Sequence, residues 1–207
     1  MNQEYSESSP YKTLSAFAEK SHRKLIFNEE QYPGSIRHGG AMHKQTFYME
    51  DKHNSEIYLA GFFDPKQFEE NELWFGAFCP TQLPEFTKLT IRKKNTLDKL
   101  NPFLRNKTLS SENRIFDSKT IITGNDPKLT TKLLFSSELQ QKILESFTLS
   151  PLLFFGVNPF RIDFCPALKK QSIMGIYTFQ KWILEEDFIE ELFLNMRKIH
   201  KTSPVNY

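Results

Sequence analysis

The chain has 207 residues and carries 27 Lys and Arg against 25 Asp and Glu, which leaves a formal net charge of only +2 at pH 7. A charge this close to balance gives no reason to expect nucleic acid or an acidic lipid surface as a partner of the whole molecule. No apolar run approaches the roughly 18–20 residues of a membrane-spanning helix, and the polar N-terminus lacks the order of a signal peptide, so we expect a cytoplasmic protein without a membrane span.

The N-terminal part of the chain is predicted to be a frayed end followed by a helix. Residues 1–9 are polar and rich in Ser, so we expect them to be disordered, with a single α+β domain over residues 10–202. Ser9-Pro10 is a typical helix start, and the apolar residues that follow share one helical face. The pattern predicts a helix that ends near His22.

A run of predicted strands follows this helix. Residues 73–78 (LWFGAF) are continuously apolar, which is typical of a central strand buried on both faces. Residues 87–92 alternate between apolar and polar side chains, as a half-buried strand does. The next segment is irregular, and a short helix is predicted near residues 97–104. Further strands are predicted at residues 24–28, 36–49 and 56–63, the last two joined as a hairpin.

The clearest local pattern lies in the middle of the chain. Residues 119–123 (KTIIT) are rich in β-branched side chains and predict a strand. Asp126-Pro127 predicts a helix start, because the carboxylate can accept from free N–H groups of the first turn and proline loses no partnered donor there. Ser137 and Gln140 match a capping box, so a second helix is predicted to begin at that point.

The C-terminal part is predicted to contain a hairpin and a closing helix. Residues 152–157 and 160–165 flank Asn158-Pro159, a pattern typical of two strands joined by a turn. Residues 184–200 carry an apolar stripe at helical spacing, with acidic residues near its start and basic residues near its end. Strands and helices do not alternate regularly along the chain. We therefore expect an α+β fold, with a mostly antiparallel sheet and helices packed on one face.

Several segments of the chain resemble the motifs of a known family. They are Phe116-Asp117, Ile121-Ile122, Gly124-Asn125-Asp126-Pro127, Leu133-Leu134 and residues 137–144, followed by residues 152–164 and 184–199. Over about residues 30–200 the chain resembles a bacterial family of unknown function, an uncharacterised soluble module often found after transmembrane helices in its relatives. The resemblance implies no catalytic residue, because that family has no known active site.

The histidines favour a metal site as the alternative function. His38 and His43 lie five residues apart around two flexible glycines, and His53 lies with Asp51 across the predicted hairpin. Neutral imidazoles with a carboxylate are a ligand set suited to zinc or a similar ion. The HExxH and paired CxxC spacings are absent, so surface histidines are the competing interpretation. The alternative function is a metal-dependent enzyme or metal-binding protein that uses this region.

The two cysteines and one basic segment leave further interpretations open. Cys79 and Cys165 each stand in a Phe-Cys-Pro tripeptide at the end of a predicted strand, which fits either a redox pair at one sheet edge or two buried thiols. From Lys88 to Lys107 the chain has seven basic residues and one acidic residue. We interpret this segment as a solvated face, with an anion contact as the weaker alternative.

Phenylalanine is the most unusual feature of the composition, with 20 residues against 8 glycines. This content predicts a phenylalanine-packed core, or an apolar pocket for which Phe62, Trp74, Phe154 and Phe193 are the candidate lining residues. We therefore predict a non-catalytic module that binds a protein partner or an apolar small molecule and uses no cofactor.

Overall fold

The computed structural model describes residues 10–33, 42–65, 73–100, 108–179 and 181–204. Its strands are β1 Leu25–Tyr32, β2 Met42–Asp51, β3 Asn54–Phe63, β4 Leu73–Pro80, β5 Leu89–Lys93, β6 Thr120–Gly124, β7 Leu153–Val157 and β8 Ile173–Phe179. Its α-helices are α1 Pro10–Ser21, α2 Arg114–Lys119, α3 Pro127–Leu133, α4 Ser137–Leu149 and α5 Glu186–Thr202, and a 3₁₀ turn lies at Leu97–Leu100. The predicted disordered end (1–9), the start of the predicted strand 36–49 and the end of the predicted helix 97–104 lie outside the described residues.

Within these residues the strands form one antiparallel sheet in the order β1-β2-β3-β4-β8-β7-β5-β6. The first four strands pair with their neighbours in sequence, whereas β8 is inserted between β4 and β7. The predicted α+β class with a mostly antiparallel sheet is confirmed. None of the described helices is long and apolar enough to span a bilayer.

The sheet has a helix face, on which most of the apolar core lies. Successive side chains of a strand point to opposite faces, and the apolar side chains of one sheet face form a single cluster with those of α1, α4 and α5. Phe47, Phe75 and Phe155 are fully buried there, together with Ile143 of α4 and Phe193 of α5. Burying a side chain of this size contributes about 1.5–3 kcal/mol, so this layer is the main source of hydrophobic stabilisation.

Side-chain caps explain where two of the helices begin. At α3, Asp126 Oδ1 accepts a hydrogen bond from the Leu129 N–H at 2.9 Å, as the sequence predicts. At α2, Asn113 Oδ1 accepts from two backbone N–H groups of the first turn. This six-residue helix was not predicted, because it directly precedes β6 and leaves no apolar stripe long enough to recognise.

The predicted capping box at the start of α4 is displaced by one residue. Ser136, rather than Ser137, is the cap, since its Oγ accepts from the Leu139 N–H at 3.2 Å. Gln140 is buried, and its Nε2 donates to the Leu134 carbonyl oxygen instead of returning to the cap. The Gln140 amide therefore joins α4 to the end of α3.

The predicted hairpin of residues 152–157 and 160–165 is wrong in its second strand. β7 pairs with β5 and β8, and residues 158–172 leave the sheet. Asn158 has a φ of 46°, which turns the chain away from the direction of β7. The apolar residues of 160–165 alternate because they pack onto a face of the sheet, and alternation alone does not distinguish this from pairing at its edge.

Candidate functional site

The face of the sheet opposite the helices carries a layer of aromatic side chains. We call it the aromatic face, and its rings are those of Tyr48, Tyr58, Phe62, Trp74, Phe78, Phe154, Tyr177 and Phe179. Along β4 and β8 these positions alternate with residues of the helix face. Residues 158–172, which we call the capping loop, pack onto this layer with further apolar side chains. Within the described ranges, the aromatic face is therefore partly covered by a loop and not by a helix.

Two glycines allow rings of this layer to lie flat on the sheet. A Cβ atom on Gly175 would come within 2.2 Å of Phe78 Cδ1, and one on Gly156 would come within 2.9 Å of the Tyr177 ring. The Phe78 and Tyr177 rings are 6.1 Å apart at an interplanar angle of 22°. Any side chain at either position would lift a ring from the sheet, so glycine is required for this arrangement.

The capping loop extends the aromatic layer by stacking. The Phe160 ring lies 3.9 Å from the Trp74 ring at 17°, and the Phe164 ring lies 6.5 Å from the Phe62 ring at 20°. Phe62 and Trp74 stack on each other at 5.8 Å and 12°. Each such pair contributes about 0.5–1.5 kcal/mol beyond area burial. Trp74 is buried by these contacts, whereas the other three rings stay half-buried.

Asn158 anchors the capping loop at its start. Its Nδ2 donates to the Thr87 carbonyl oxygen at 2.9 Å and to Ser172 Oγ at 3.1 Å, and its Oδ1 accepts from the Ile173 N–H at 2.8 Å. Ser172 is the last residue of the loop, and Ile173 begins β8. One side chain therefore closes the loop and ties it to the segment before β5.

An open groove of about 1250 Å³ lies beside the capping loop, and we call it the aromatic groove. Its lining comes from β1 and β2, from Phe62 and Trp74, from residues 85–88 and from the capping loop. The half-buried rings of Phe160 and Phe164 are part of this lining. The groove thus presents aromatic rings to solvent along one side of the loop.

Charged side chains of both signs surround these rings. The described lining contains the acidic residues Glu29, Glu30, Glu85 and Asp163 and the basic residues Lys44, Lys88, Arg161 and Lys170. Lys44 Nζ lies 5.9 Å from the Phe62 ring centroid and 3.8 Å from Glu30 Oε2. The groove is therefore a mixed surface, with neither a single-sign field nor a purely apolar wall.

The sheet divides the four residues predicted to line a ligand pocket. Phe62 and Trp74 line the aromatic groove together. Phe154 lies on the same face, where its ring stacks within the aromatic layer. Phe193 lies on the helix face, with its ring 4.5 Å from the Arg23 guanidinium carbon. Two of the four therefore share a groove, and Phe193 belongs to the opposite layer.

The candidate metal ligands are spread along one strand. His43 lies near the start of β2, with its Nδ1 3.0 Å from Glu29 Oε1. Asp51 ends the same strand, roughly 26 Å further along at about 3.3 Å per residue. His53 is exposed in the turn that follows, and His38 lies outside the described residues. In the described part of the chain, no group of three His, Cys, Asp or Glu residues is placed to hold a metal, and the metal site of the full predicted set stays a prediction.

Asp51 has two arginine partners. Its carboxylate is fully buried and accepts two hydrogen bonds from Arg197 Nη1, at 2.9 and 2.7 Å, and one from Arg23 Nη2 at 3.4 Å. Arg23 Nη2 also donates to Glu190 Oε2 at 2.9 Å, and the Arg23 guanidinium holds the pKa of Glu190 below its ordinary value. This cluster joins the end of α1, the β2–β3 turn and α5, so its geometry serves the fold.

The two Phe-Cys-Pro cysteines lie on opposite faces of the sheet. Cys79 belongs to the core of the helix face, and Cys165 belongs to the cluster under the capping loop. Both are buried free thiols, and burial raises the pKa of each. A raised pKa keeps a thiol protonated and unreactive. The structure therefore favours two buried thiols over the redox pair.

The sequence patterns did not predict two parts of this arrangement. The Asn158-Pro159 turn is recognisable, but the alternation after it was assigned to a strand and not to a loop that packs onto the sheet. The arginine partners of Asp51 are 28 and 146 residues away in sequence. No local spacing reveals contacts at that separation, so the carboxylate was assigned to the nearby histidines.

Comparison with known proteins assigns no function to the aromatic groove or to the charged cluster around Asp51. The family resemblance over about residues 30–200 stays a prediction, and the site residues are therefore interpreted from their own contacts and chemistry. No protein-family model, no curated protein and no solved structure matches this chain.

Proposed function

We propose that this protein is a non-catalytic cytoplasmic binding module, and that its aromatic groove takes an extended segment of a protein partner. One observation carries the proposal: stacked rings on the side of the sheet opposite the helices face an open groove and stay half-buried. Phe62, Phe160 and Phe164 all have this position. Aromatic side chains that remain partly exposed beside a groove are the usual anchors of protein interfaces.

The size of the groove favours a polypeptide segment over an apolar small molecule. Pockets for small ligands have volumes of about 300–1,000 Å³ and enclose most of the ligand surface. The aromatic groove measures about 1250 Å³, which lies above this range. A small apolar molecule would leave much of this surface in contact with water.

The charges of the groove favour the same occupant. Lys44 lies beside Phe62 and Glu30, and further residues of both signs come from residues 85–88 and from the capping loop. A polypeptide presents backbone donors and acceptors together with side chains of both signs, so it can meet such a surface. An aromatic centre with a charged rim is also the general anatomy of a protein interface.

A displayed library of random 12-residue peptides, selected on the immobilised protein, tests the proposal. We expect the selected peptides to share an aromatic or large aliphatic anchor residue that packs against Phe62. Fluorescence polarisation with the synthesised peptides should then show a Kd at least about tenfold higher for Phe62→Ala, which corresponds to about 1.4 kcal/mol.

Phe135→Ala is the matched control, because Phe135 is 85% exposed and lies between α3 and α4. Its Kd should equal that of the wild type, and thermal unfolding of both variants checks that they are folded. Peptides that bind Phe62→Ala as tightly as the wild type would contradict the proposal. So would a selection that enriches no peptide.

A further inference from the structure

We infer a second binding site, which takes a single-chain amphiphile with a carboxylate or similar anionic head group. It is a cleft of about 740 Å³ between α4, the end of α2 and the segment that follows β5. We call it the basic cleft. It shares no lining residue with the aromatic groove, so it is a separate site from the one proposed above.

One face of α4 forms the floor of the basic cleft. Gln141, Leu144, Glu145 and Thr148 line it, at the spacing of residues on one side of a helix. Leu144 is half-buried, and Phe147 adds apolar surface behind it. Leu144 therefore gives the cleft a partly exposed apolar floor among the three polar residues of the same helix face.

Two exposed apolar side chains stand at the rim. Leu97 is 72% exposed and directly follows Thr96, which lines the cleft. Ile115 is 68% exposed and precedes Ser118 and Lys119 by three and four residues on α2, so it shares their helical face. Neither side chain contributes to the core. Each adds exposed apolar surface next in sequence or in helical position to residues that line the cleft.

Three lysines surround the cleft. Lys93, Lys94 and Lys119 line it, and within the described part of the chain none of them forms a salt bridge. Glu145 is the acidic residue of the lining, and Lys142 already neutralises it with an Nζ–Oε2 distance of 3.0 Å. The cleft therefore has an excess of positive charge beside an apolar floor.

The apolar floor and the three lysines together determine which class of ligand fits the basic cleft. A volume of about 740 Å³ falls within the range of about 300–1,000 Å³ typical of small-molecule sites. Lysine ammonium groups attract a carboxylate, and the apolar floor takes the attached chain. A membrane surface would meet a convex basic face, whereas these lysines surround a concave cleft. A free amphiphile therefore fits the site better than a lipid bilayer.

Isothermal titration calorimetry with dodecanoate below its micellar concentration tests this inference. We expect dodecanoate to bind with one site per chain. Dodecan-1-ol, which has the same chain without the charge, should bind at least about tenfold more weakly, and acetate, which has the charge without the chain, should not bind.

Variants with exposed side chains test the position of the site. The triple variant Lys93→Gln, Lys94→Gln and Lys119→Gln should weaken dodecanoate binding about tenfold or more, as should Leu97→Gln combined with Ile115→Gln. The control triple variant replaces three exposed lysines outside the cleft with Gln: Lys128, Lys132 and Lys181. It should bind dodecanoate as the wild type does.

Several results would overturn the inference. They are no binding of dodecanoate, equal binding to the wild type and the cleft triple variant, and equal binding of dodecan-1-ol. Binding to phosphatidylglycerol vesicles without binding to monomeric dodecanoate would assign the lysines to a membrane contact. Loss of dodecanoate binding in Phe62→Ala would move the ligand to the aromatic groove, whereas unchanged binding there separates this inference from the proposed function.

Discussion

Asp51 ties three elements together through a fully buried carboxylate. Arg197 and Arg23 donate to it, so replacing Asp51 by Asn leaves two guanidinium groups facing a neutral amide. Breaking a buried ion pair on one side costs about 3–5 kcal/mol. We expect Asp51→Asn to lower the free energy of unfolding by about that amount, measured by urea denaturation at pH 7.

Asp163→Asn provides the control for this prediction. Asp163 is exposed in the capping loop, and a surface substitution of this kind changes stability by about 0.5 kcal/mol or less. A loss below about 1 kcal/mol for Asp51→Asn would contradict the structural role given to the cluster.

Asp98 gives the fold a pH dependence with a definite sign. Arg92 donates hydrogen bonds to both of its carboxylate oxygens, at 2.6 and 2.7 Å, and these bonds hold the pKa of Asp98 below its ordinary value. A carboxyl with a lower pKa in the folded state stabilises the fold above its unfolded pKa, about 3.9 for Asp. That contribution is lost as the pH falls through the folded pKa.

We therefore expect the wild type to be more stable than Asp98→Asn at pH 7. The difference should persist down to about pH 5 and shrink below about pH 4. Urea unfolding of both proteins across this range measures it. A difference that is the same at pH 7 and at the acid end would contradict the assignment.

Single residues were predictable where their partner is close in sequence. Asp126 was correctly identified as a helix cap, because the N–H group that it accepts from is three residues away. The arginines that contact Asp51 were not predictable, because they come from distant segments. The residue types at such a position reveal a charge but not what neutralises it.

At the scale of the element, the capping loop depends on one residue, Asn158. Asn158 combines a φ of 46° with side-chain hydrogen bonds to Thr87, Ser172 and Ile173. Asn158→Gly removes the hydrogen bonds but keeps the conformation available, and should cost about 1–3 kcal/mol. Asn158→Ala also has to adopt a positive φ, so we expect about 1 kcal/mol of further loss.

Urea unfolding of the two variants separates these causes, and limited proteolysis after Arg161 reports whether the loop still packs on the sheet. An alanine variant as stable as the glycine variant would show that the positive φ carries no cost. Two variants as stable as the wild type would contradict the anchoring role of Asn158.

Elements were predicted well where a local pattern alone decides them. The helix ending near residue 22, the buried strand at residues 73–78 and the closing helix all occur close to their predicted positions. The predicted strand at 160–165 and the capping box at Ser137 are wrong, because burial against another part of the chain produced the same local pattern. Periodicity records which side of a segment is buried and not what buries it.

The whole molecule is a sheet with two different faces. Helices cover one face with aliphatic and phenylalanine side chains, and a loop partly covers the other with stacked rings. The order of predicted strands and helices in the sequence predicts the face that helices cover. It does not predict the insertion of β8 between β4 and β7, which brings Tyr177 and Phe179 onto the aromatic face. That pairing joins segments about 100 residues apart and has no local pattern.

The direct test of a binding role for the aromatic face is ¹⁹F NMR of protein labelled with 4-fluorophenylalanine at its 20 phenylalanines. Addition of a peptide selected on the wild-type protein should shift the resonances of Phe62, Phe160 and Phe164, assigned through single Phe→Leu variants. The resonances of Phe147 and Phe193, on the helix face, should stay in place. Shifts confined to the helix-face phenylalanines, with the three groove resonances unchanged, would contradict the account.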